Sequence, residues 1–195
     1  MKGNVPKIPA IICGIFKEEF SQLPPELTAR FDPVFIDSML HMEPERLDGV
    51  IAGFVKARSR GVIVYGDCCP NMAEYGNTEG FTRTRGVNCC ELMLGRTRYR
   101  RLSKAKTFFF MPEWVSRWKE VFEKELGFSR KEIARGFMTD SLTQLCYVDT
   151  GVSAPPEKIL RDIREFFSMP FSVERCSVLG LQKELEHALR QVTHG

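Results

Sequence analysis

The chain has 195 residues, of which 43% are hydrophobic and 27% are charged, so it is expected to form one domain over residues 1–195 with a sizeable core. These proportions exclude a disordered or fibrous protein. Its 28 basic and 25 acidic residues give a formal net charge of +3, well short of the basic excess that is typical of a nucleic-acid-binding protein.

Apolar runs in the sequence are too short to span a membrane, because a spanning helix needs roughly 18 consecutive apolar residues. The longest early run, residues 8–16, contains Pro9 and Gly14 and leads into charged residues without a signal-peptide cleavage pattern. We therefore expect a cytoplasmic protein. Because that compartment keeps thiols reduced, the seven cysteines are predicted not to form a disulfide framework.

Strand-like apolar runs alternate with helical patterns along the chain. The predicted strands are Ile8–Ile12, Pro33–Ile36, Val62–Tyr65, Thr107–Met111, Leu145–Val148 and Val173–Leu179. The predicted helices are Pro44–Ser59, Glu113–Leu126, Glu157–Phe167 and a last one that begins near Leu181. Near-continuous apolar strands are typical of parallel sheets buried on both faces. The sequence therefore predicts an α/β fold with a single doubly wound, mainly parallel sheet of five to six strands and helices on both faces, Rossmann-like or flavodoxin-like.

Reactive side chains follow these strands, at the edge where open parallel sheets place their ligand sites. Cys13 follows the first strand, His41 comes shortly after the second, and Cys68 comes after the third. Cys89 lies beyond residues 68–86, which are predicted to be a long irregular segment, and it opens a predicted helix. We expect all four side chains to face one opening at this edge.

Two of these cysteines belong to vicinal pairs, at residues 68–69 and 89–90. Successive side chains of an extended segment point in opposite directions, so one cysteine of each pair is expected to face the opening. A set of three thiolates and an imidazole suits a soft or borderline metal such as zinc, iron or cobalt. The predicted metal ligands are Cys13, His41, Cys68 and Cys89.

A metal-free enzyme is a second interpretation of the same residues. The positive end of a helix dipole favours a thiolate, which makes Cys89, or else Cys68, a candidate nucleophile with His41 as its base. Asp67 and Glu91 are the candidate catalytic residues, as acid, base or orienting group for a ligand.

A basic stretch supports a third interpretation, a small-anion binding module whose cysteines only pack. Eight basic residues and one acid lie between Arg83 and Lys106, which would attract an anion. Tyr99 is the only aromatic residue of this stretch that could stack on a base, so no nucleic-acid binding is inferred. Cys146 and Cys176 lie inside apolar runs and are predicted to be core residues.

Short motifs at the strand ends are shared with a known family. They are Cys13-Gly14, Leu40-His41, Tyr65-Gly66-Asp67-Cys68, Asn88-Cys89-Cys90-Glu91 and Lys106-Thr107-Phe108-Phe109-Phe110. Together, over about Ile8 to Val148, they resemble domain-of-unknown-function family 1638. The chain departs from the family pattern in two places, since Cys69 replaces a usual glycine and Asn88 a usual histidine.

The resemblance implies that the three thiols and the imidazole belong to one shared site. Members of the family are often encoded among genes for corrinoid-dependent methyltransferases and other anaerobic one-carbon metabolism. The implied function is a metal- or metallocofactor-binding protein that is accessory to methyl transfer, with corrinoid methyltransferase components as partners. Its cofactor would be zinc, iron or cobalt, or a corrinoid or iron–sulfur cluster. A closed site would be structural or carrier-like, whereas an open ligand position would allow thiol activation.

Overall fold

A computed structural model of the chain describes residues 6–128 and 130–194. The chain divides into two compact units, one made of the residues up to Leu92 and from Val178 onward, the other of Met93–Ser177. Each unit contains its own parallel sheet. The expectation of one domain over residues 1–195 stays a prediction.

The strands of the described residues form a four-stranded and a three-stranded sheet. They are β1 (Ile8–Cys13), β2 (Phe31–Ile36), β3 (Gly61–Val64), β4 (Phe81–Arg83), β5 (Thr107–Phe110), β6 (Gln144–Asp149) and β7 (Phe171–Arg175). The first sheet has the order β2-β1-β3-β4 and the second the order β5-β6-β7, and every pairing is parallel. The α/β class is confirmed.

The prediction of one sheet with five to six strands is wrong, because the strands form two sheets, one that ends with β4 and another that begins with β5. β5 pairs with β6, placing Thr107 opposite Gln144, whereas β4 pairs with β3. Apolar runs identify strands but do not select their partners, because every parallel strand offers the same backbone donors and acceptors along its edges.

Helices connect the strands of both units. The α-helices are α1 (Lys17–Ser21), α2 (Pro25–Thr28), α3 (Pro44–Lys56), α4 (Met72–Asn77), α5 (Cys89–Leu94), α6 (Arg96–Lys104), α7 (Pro112–Ser116), α8 (Lys131–Ser141), α9 (Glu157–Phe167) and α10 (Leu179–His194). Two short 3₁₀ turns, Gly14–Phe16 and Ser38–Met42, and one π-helical segment, Glu120–Glu125, complete the helical structure described. None of the described helices combines the length and the apolar character needed to cross a lipid bilayer.

Three predicted segments differ from the structure. Residues 68–86 are not a single irregular segment, because α4 and the three-residue strand β4 lie within them. The predicted helix Glu113–Leu126 is interrupted at Arg117, whose guanidinium bonds to carboxylates on both sides of the break. The predicted strand Val173–Leu179 ends as β7 at Arg175, because the residues that follow turn into α10.

The central strands of the first sheet are buried throughout. Ala10, Ile11 and Ile12 of β1 and residues 62–64 of β3 are at most 1% exposed, which is why these strands lack polar alternation. On α3, the apolar side chains at i, i+4 and i+7 are buried, as the helical pattern predicts: they are Leu47, Ile51 and Phe54.

The last helix, α10, completes the first unit by packing on β3 and β4. Its buried face carries Leu181, Leu185 and Ala188. The Glu184 carboxylate accepts hydrogen bonds from the backbone N–H, Nε and Nη2 of Arg85 at 2.9, 3.1 and 2.8 Å. This bidentate pair attaches α10 to the segment that follows β4.

Aromatic rings form the core of the second unit. Phe110, Phe122 and Phe167 are fully buried, and the Phe122 ring centroid lies 5.0 Å from that of Phe167 and 5.5 Å from that of Phe110. Cys146 of β6 is fully buried, as predicted, whereas Cys176 is half-buried just beyond β7. The prediction that Cys176 is a core residue is therefore wrong, because β7 ends before it.

Phe122→Ala should lower the free energy of unfolding of the second unit by about 3–5 kcal/mol, because it removes the ring that joins this aromatic core. Urea unfolding followed by tryptophan fluorescence measures this unit, since both tryptophans, Trp114 and Trp118, lie within it. Phe137→Ala is the matched control, because this side chain is 65% exposed and should cost much less. Equal losses in the two variants would contradict the aromatic core.

Candidate functional site

Cys13 ends β1, where a close backbone contact fixes the chain. A Cβ added at the next residue, Gly14, would lie 2.7 Å from Ile36 O of β2 and 3.3 Å from Ser38 N. Only glycine leaves room for this approach. The contact holds the segment after β2, which carries His41, against the residue that follows Cys13.

His41 lies on the 3₁₀ turn Ser38–Met42 that follows β2. The carboxylate of Asp37 accepts the Met39 N–H at 3.0 Å and begins this turn. His41 Nδ1 lies 2.5 Å from Ser38 O, so Nδ1 carries a proton and donates it to that carbonyl. In this tautomer Nε2 bears the lone pair that can bind a metal. The approach of His41 to the three thiols stays a prediction.

A second close backbone contact lies beyond β3, within residues 65–68. A Cβ added at Gly66 would lie 2.4 Å from both Val87 O and Asn88 Cα, so no side chain fits there. The segment that leads into Cys89 therefore crosses directly over Gly66. This crossing positions the start of α5 next to the end of β3.

The predicted thiols act on one another and on a shared neighbour. Burial, and then the Cys89 thiol, raise the pKa of Cys68 to about 11. Burial, and then the charges of Cys13 and Cys68, raise the pKa of Tyr65 well above its ordinary value. Both of these thiols are therefore within electrostatic reach of Tyr65, and Cys68 is within reach of Cys89.

These pairwise interactions link the thiols to one another: Cys13 and Cys68 both interact with Tyr65, and Cys68 also interacts with Cys89. Within residues 6–128 and 130–194, no three His, Cys, Asp or Glu side chains are already arranged to hold a metal ion. The binding of a single metal ion by all three thiols therefore stays a prediction.

The vicinal pair Cys89–Cys90 does not behave as an extended segment. Its two Sγ atoms lie only 3.9 Å apart. The prediction that these side chains diverge is wrong, because both residues begin α5, where successive side chains are about 100° apart. The contact with the Cys90 thiol, and then burial, raise the pKa of Cys89. The lowered pKa that a helix N-terminus was expected to produce is not found.

In the other vicinal pair, Cys69 has different neighbours from Cys68. It is buried beside Asp48 of α3, whose carboxylate also accepts hydrogen bonds from the Tyr75 hydroxyl at 2.8 Å and from Asn71 Nδ2 at 3.0 Å. Burial, and then this carboxylate, raise the pKa of Cys69 to about 12. Cys69 thus belongs to a polar group that attaches α3 to α4, and Cys68 is the member of the pair next to Cys89.

The two predicted catalytic acids have structural partners. Asp67 Oδ1 forms an ion pair with Arg83 Nη1 at 2.7 Å. Glu91 is buried, and its Oε2 accepts the Val87 N–H at 2.9 Å while its own N–H donates to Asn88 Oδ1 at 2.9 Å. This reciprocal arrangement caps the start of α5. Asn88 is therefore a helix cap.

Tyr65 is a site residue that sequence reasoning missed. It is only 3% exposed, and its hydroxyl interacts with the Cys13 thiol. The available signal was its position: Tyr65 is a polar-tipped aromatic directly after a strand whose residues, 61–64, are apolar and buried.

Comparison with protein families gives a match over most of the chain. The family model described as "Protein of unknown function (DUF1638)" matches residues 35–185. The matched span contains His41, Cys68 and Cys89, begins after Cys13, and extends beyond Val148, where the resemblance in motifs ends. Comparison with curated proteins gives no match, and neither does comparison with solved structures.

Gly66→Ala should destabilise the first unit by about 3 kcal/mol, because the new Cβ would overlap the backbone at Val87 and Asn88. Urea unfolding followed by far-ultraviolet circular dichroism measures the loss. Gly53→Ala is the matched control, because a Cβ at this position in α3 meets no atom within 4 Å. It should instead stabilise the helix by about 0.5–1 kcal/mol. Unchanged stability of Gly66→Ala would contradict the crossing at Gly66.

Proposed function

The chain belongs to the DUF1638 family, and we propose that it binds a soft metal ion or metallocofactor at the carboxyl edge of its first sheet. The ligands are the thiolates of Cys13, Cys68 and Cys89, with His41 as the fourth ligand or as a nearby base. Zinc, iron and cobalt are the metals that suit this set.

The observation that carries this proposal is the placement of the thiols on adjoining backbone. β1 and β3 are hydrogen-bonded neighbours whose pairing continues to Ile12 and Val64, one residue before Cys13 and Tyr65 respectively. The crossing at Gly66 then positions the segment of Cys89 against the one that leads to Cys68. Three thiols that are distant in sequence thus belong to one edge of one sheet.

The protonation of the thiols argues against a metal-free nucleophile. Because the pKa values of Cys68 and Cys89 are raised, both thiols are protonated near neutral pH and are weak nucleophiles. A soft metal ion displaces such protons, since it binds the thiolate form. Binding by all four residues would give a closed site, whereas three protein ligands would leave a position for a substrate.

The cellular role follows from the family resemblance. We propose that the protein is accessory to corrinoid-dependent or other anaerobic one-carbon metabolism in the cytoplasm, with corrinoid methyltransferase components as partners. A corrinoid or an iron–sulfur cluster would use the same sulfur ligands. All seven cysteines are free thiols, which agrees with a reducing compartment.

After anaerobic purification, elemental analysis should find about one zinc, iron or cobalt ion per chain. Cys13→Ser, Cys68→Ser and Cys89→Ser should each lower metal affinity by at least about tenfold, because each removes a thiolate ligand. Titration with Co²⁺, followed by the sulfur-to-cobalt absorption band, measures that affinity.

Cys146→Ser is the matched control for these variants. Its thiol is fully buried in β6, in the other compact unit, so the substitution tests the loss of a buried sulfur without touching the proposed ligands. Metal content should be unchanged in this variant. A native chain that takes up no metal, or equal losses in Cys146→Ser and the three ligand variants, would overturn the proposal.

A further inference from the structure

Two sulfur atoms lie close together at the start of α5. The Sγ atoms of Cys89 and Cys90 are 3.9 Å apart. A thiol is both a weak hydrogen-bond donor and a weak acceptor, so this contact alone contributes little to the stability of the fold. Cys69, the second member of the other vicinal pair, instead donates to the carboxylate of Asp48. Hydrogen bonding therefore explains the position of Cys69 but not the contact between the two thiols of α5.

We infer that Cys89 and Cys90 together bind one soft divalent metal ion as a chelating pair. Cys90 is then a further ligand of the proposed metal site, and the inference rests on that proposed function for the role of Cys89 as a ligand. The two thiolates carry two negative charges, which neutralise the charge of a divalent ion.

The separation of the two sulfurs fits a tetrahedral metal ion. Metal–sulfur bonds of about 2.3 Å that meet at a tetrahedral angle place two ligand sulfurs about 3.8 Å apart. The observed separation of 3.9 Å needs only a small adjustment of the side chains to match this geometry. The pair is thus arranged before an ion binds, which lowers the cost of ordering the ligands.

The backbone that carries the pair is held on both sides. Asn88 Oδ1 accepts the Glu91 N–H at 2.9 Å, and Glu91 Oε2 accepts the Val87 N–H at 2.9 Å. The Leu92 N–H donates to Asn88 O at 3.1 Å and closes the first turn of the helix. Because both cysteines lie between these bonds, their sulfurs move mainly by rotation of the side chains.

The same backbone disfavours a disulfide between the two residues. Adjacent Cα atoms are about 3.8 Å apart across a trans peptide, whereas disulfides usually join Cα atoms that are about 4.4–6.8 Å apart. A disulfide in the first turn of α5 would therefore distort the helix, while a shared metal ion would leave it intact. Both cysteines are free thiols.

The two thiols differ in their exposure to solvent. Cys89 is half-buried, whereas Cys90 is only 6% exposed. A metal ion would therefore enter from the side of Cys89, and the bond to the Cys90 sulfur would be shielded from water. Both thiols would release their protons as the ion binds, since the thiolate is the form that binds metal.

Phenylarsine oxide tests the pair in the metal-free full chain, because its arsenic binds two neighbouring thiols. Two arsenic–sulfur bonds form, and the oxygen leaves as water with both thiol protons, so nothing is oxidised or reduced. A wash with glutathione removes arsenic that is held by a single thiol. Peptide mass spectrometry of the folded chain should then find the adduct on the tryptic peptide 86–96, whose only cysteines are Cys89 and Cys90.

Cys90→Ala should abolish this adduct and lower the affinity for Co²⁺ at least about tenfold, as should Cys89→Ala, because each removes one of the two sulfurs. Cys69→Ala is the matched control, since Cys69 is also the buried second member of a vicinal pair but contacts Asp48. It should keep both the adduct and the Co²⁺ affinity. Far-ultraviolet circular dichroism verifies that each variant folds, and the peptide map of the native chain requires no variant.

An adduct that persists in Cys90→Ala, or one that joins the peptide 86–96 to another cysteine peptide, would overturn the chelating pair. Full Co²⁺ affinity in Cys90→Ala would also overturn it, and if Cys13→Ser and Cys68→Ser lose metal, the proposed site stands without Cys90. The opposite result also separates the two proposals. Loss of Co²⁺ in Cys89→Ala and Cys90→Ala, with binding retained in Cys13→Ser and Cys68→Ser, would support the pair and overturn the larger site.

Discussion

At two points along the carboxyl edge of the first sheet, backbone passes so close to backbone that no side chain fits between. Gly14 makes one contact, with the end of β2, and Gly66 makes the other, with the segment before α5. Without these contacts, the residues that follow the strands would belong to separate loops. With them, Cys13, Cys68 and Cys89 are attached to a common framework whose geometry depends on glycine at both positions.

The same framework explains why the pKa values of Cys68 and Cys89 are raised. Cys68 and Cys89 are half-buried and interact with each other, and Cys68 also interacts with the buried Tyr65 phenol, so each thiolate has few groups to stabilise it. The charged groups nearby are already matched: Asp67 faces Arg83, and Glu91 is engaged in capping α5. The edge therefore has sulfur and donor groups but little free negative charge.

The sequence predicted the parts of the structure that have a periodic or compositional signal. The strands β1 and β3 are apolar throughout, and the cysteines directly after them mark the ligand edge. β4 escaped prediction because its three residues, Phe81–Arg83, are too few to show a pattern. The partners of Cys69 and Cys90 depend on local backbone conformation, and the role of Tyr65 is visible only once its hydroxyl is seen to lie beside the Cys13 thiol.

The return of α10 to the first unit has a consequence for the order of folding during synthesis. Met93–Ser177 is continuous in sequence, so it can complete its core as soon as that stretch has left the ribosome. The first unit has to wait for residues 178–194, although it begins to emerge much earlier. Throughout that interval the faces of β3 and β4 that α10 will cover are open to solvent. The nascent chain therefore carries its thiol-bearing sheet without α10 while Met93–Ser177 is being synthesised.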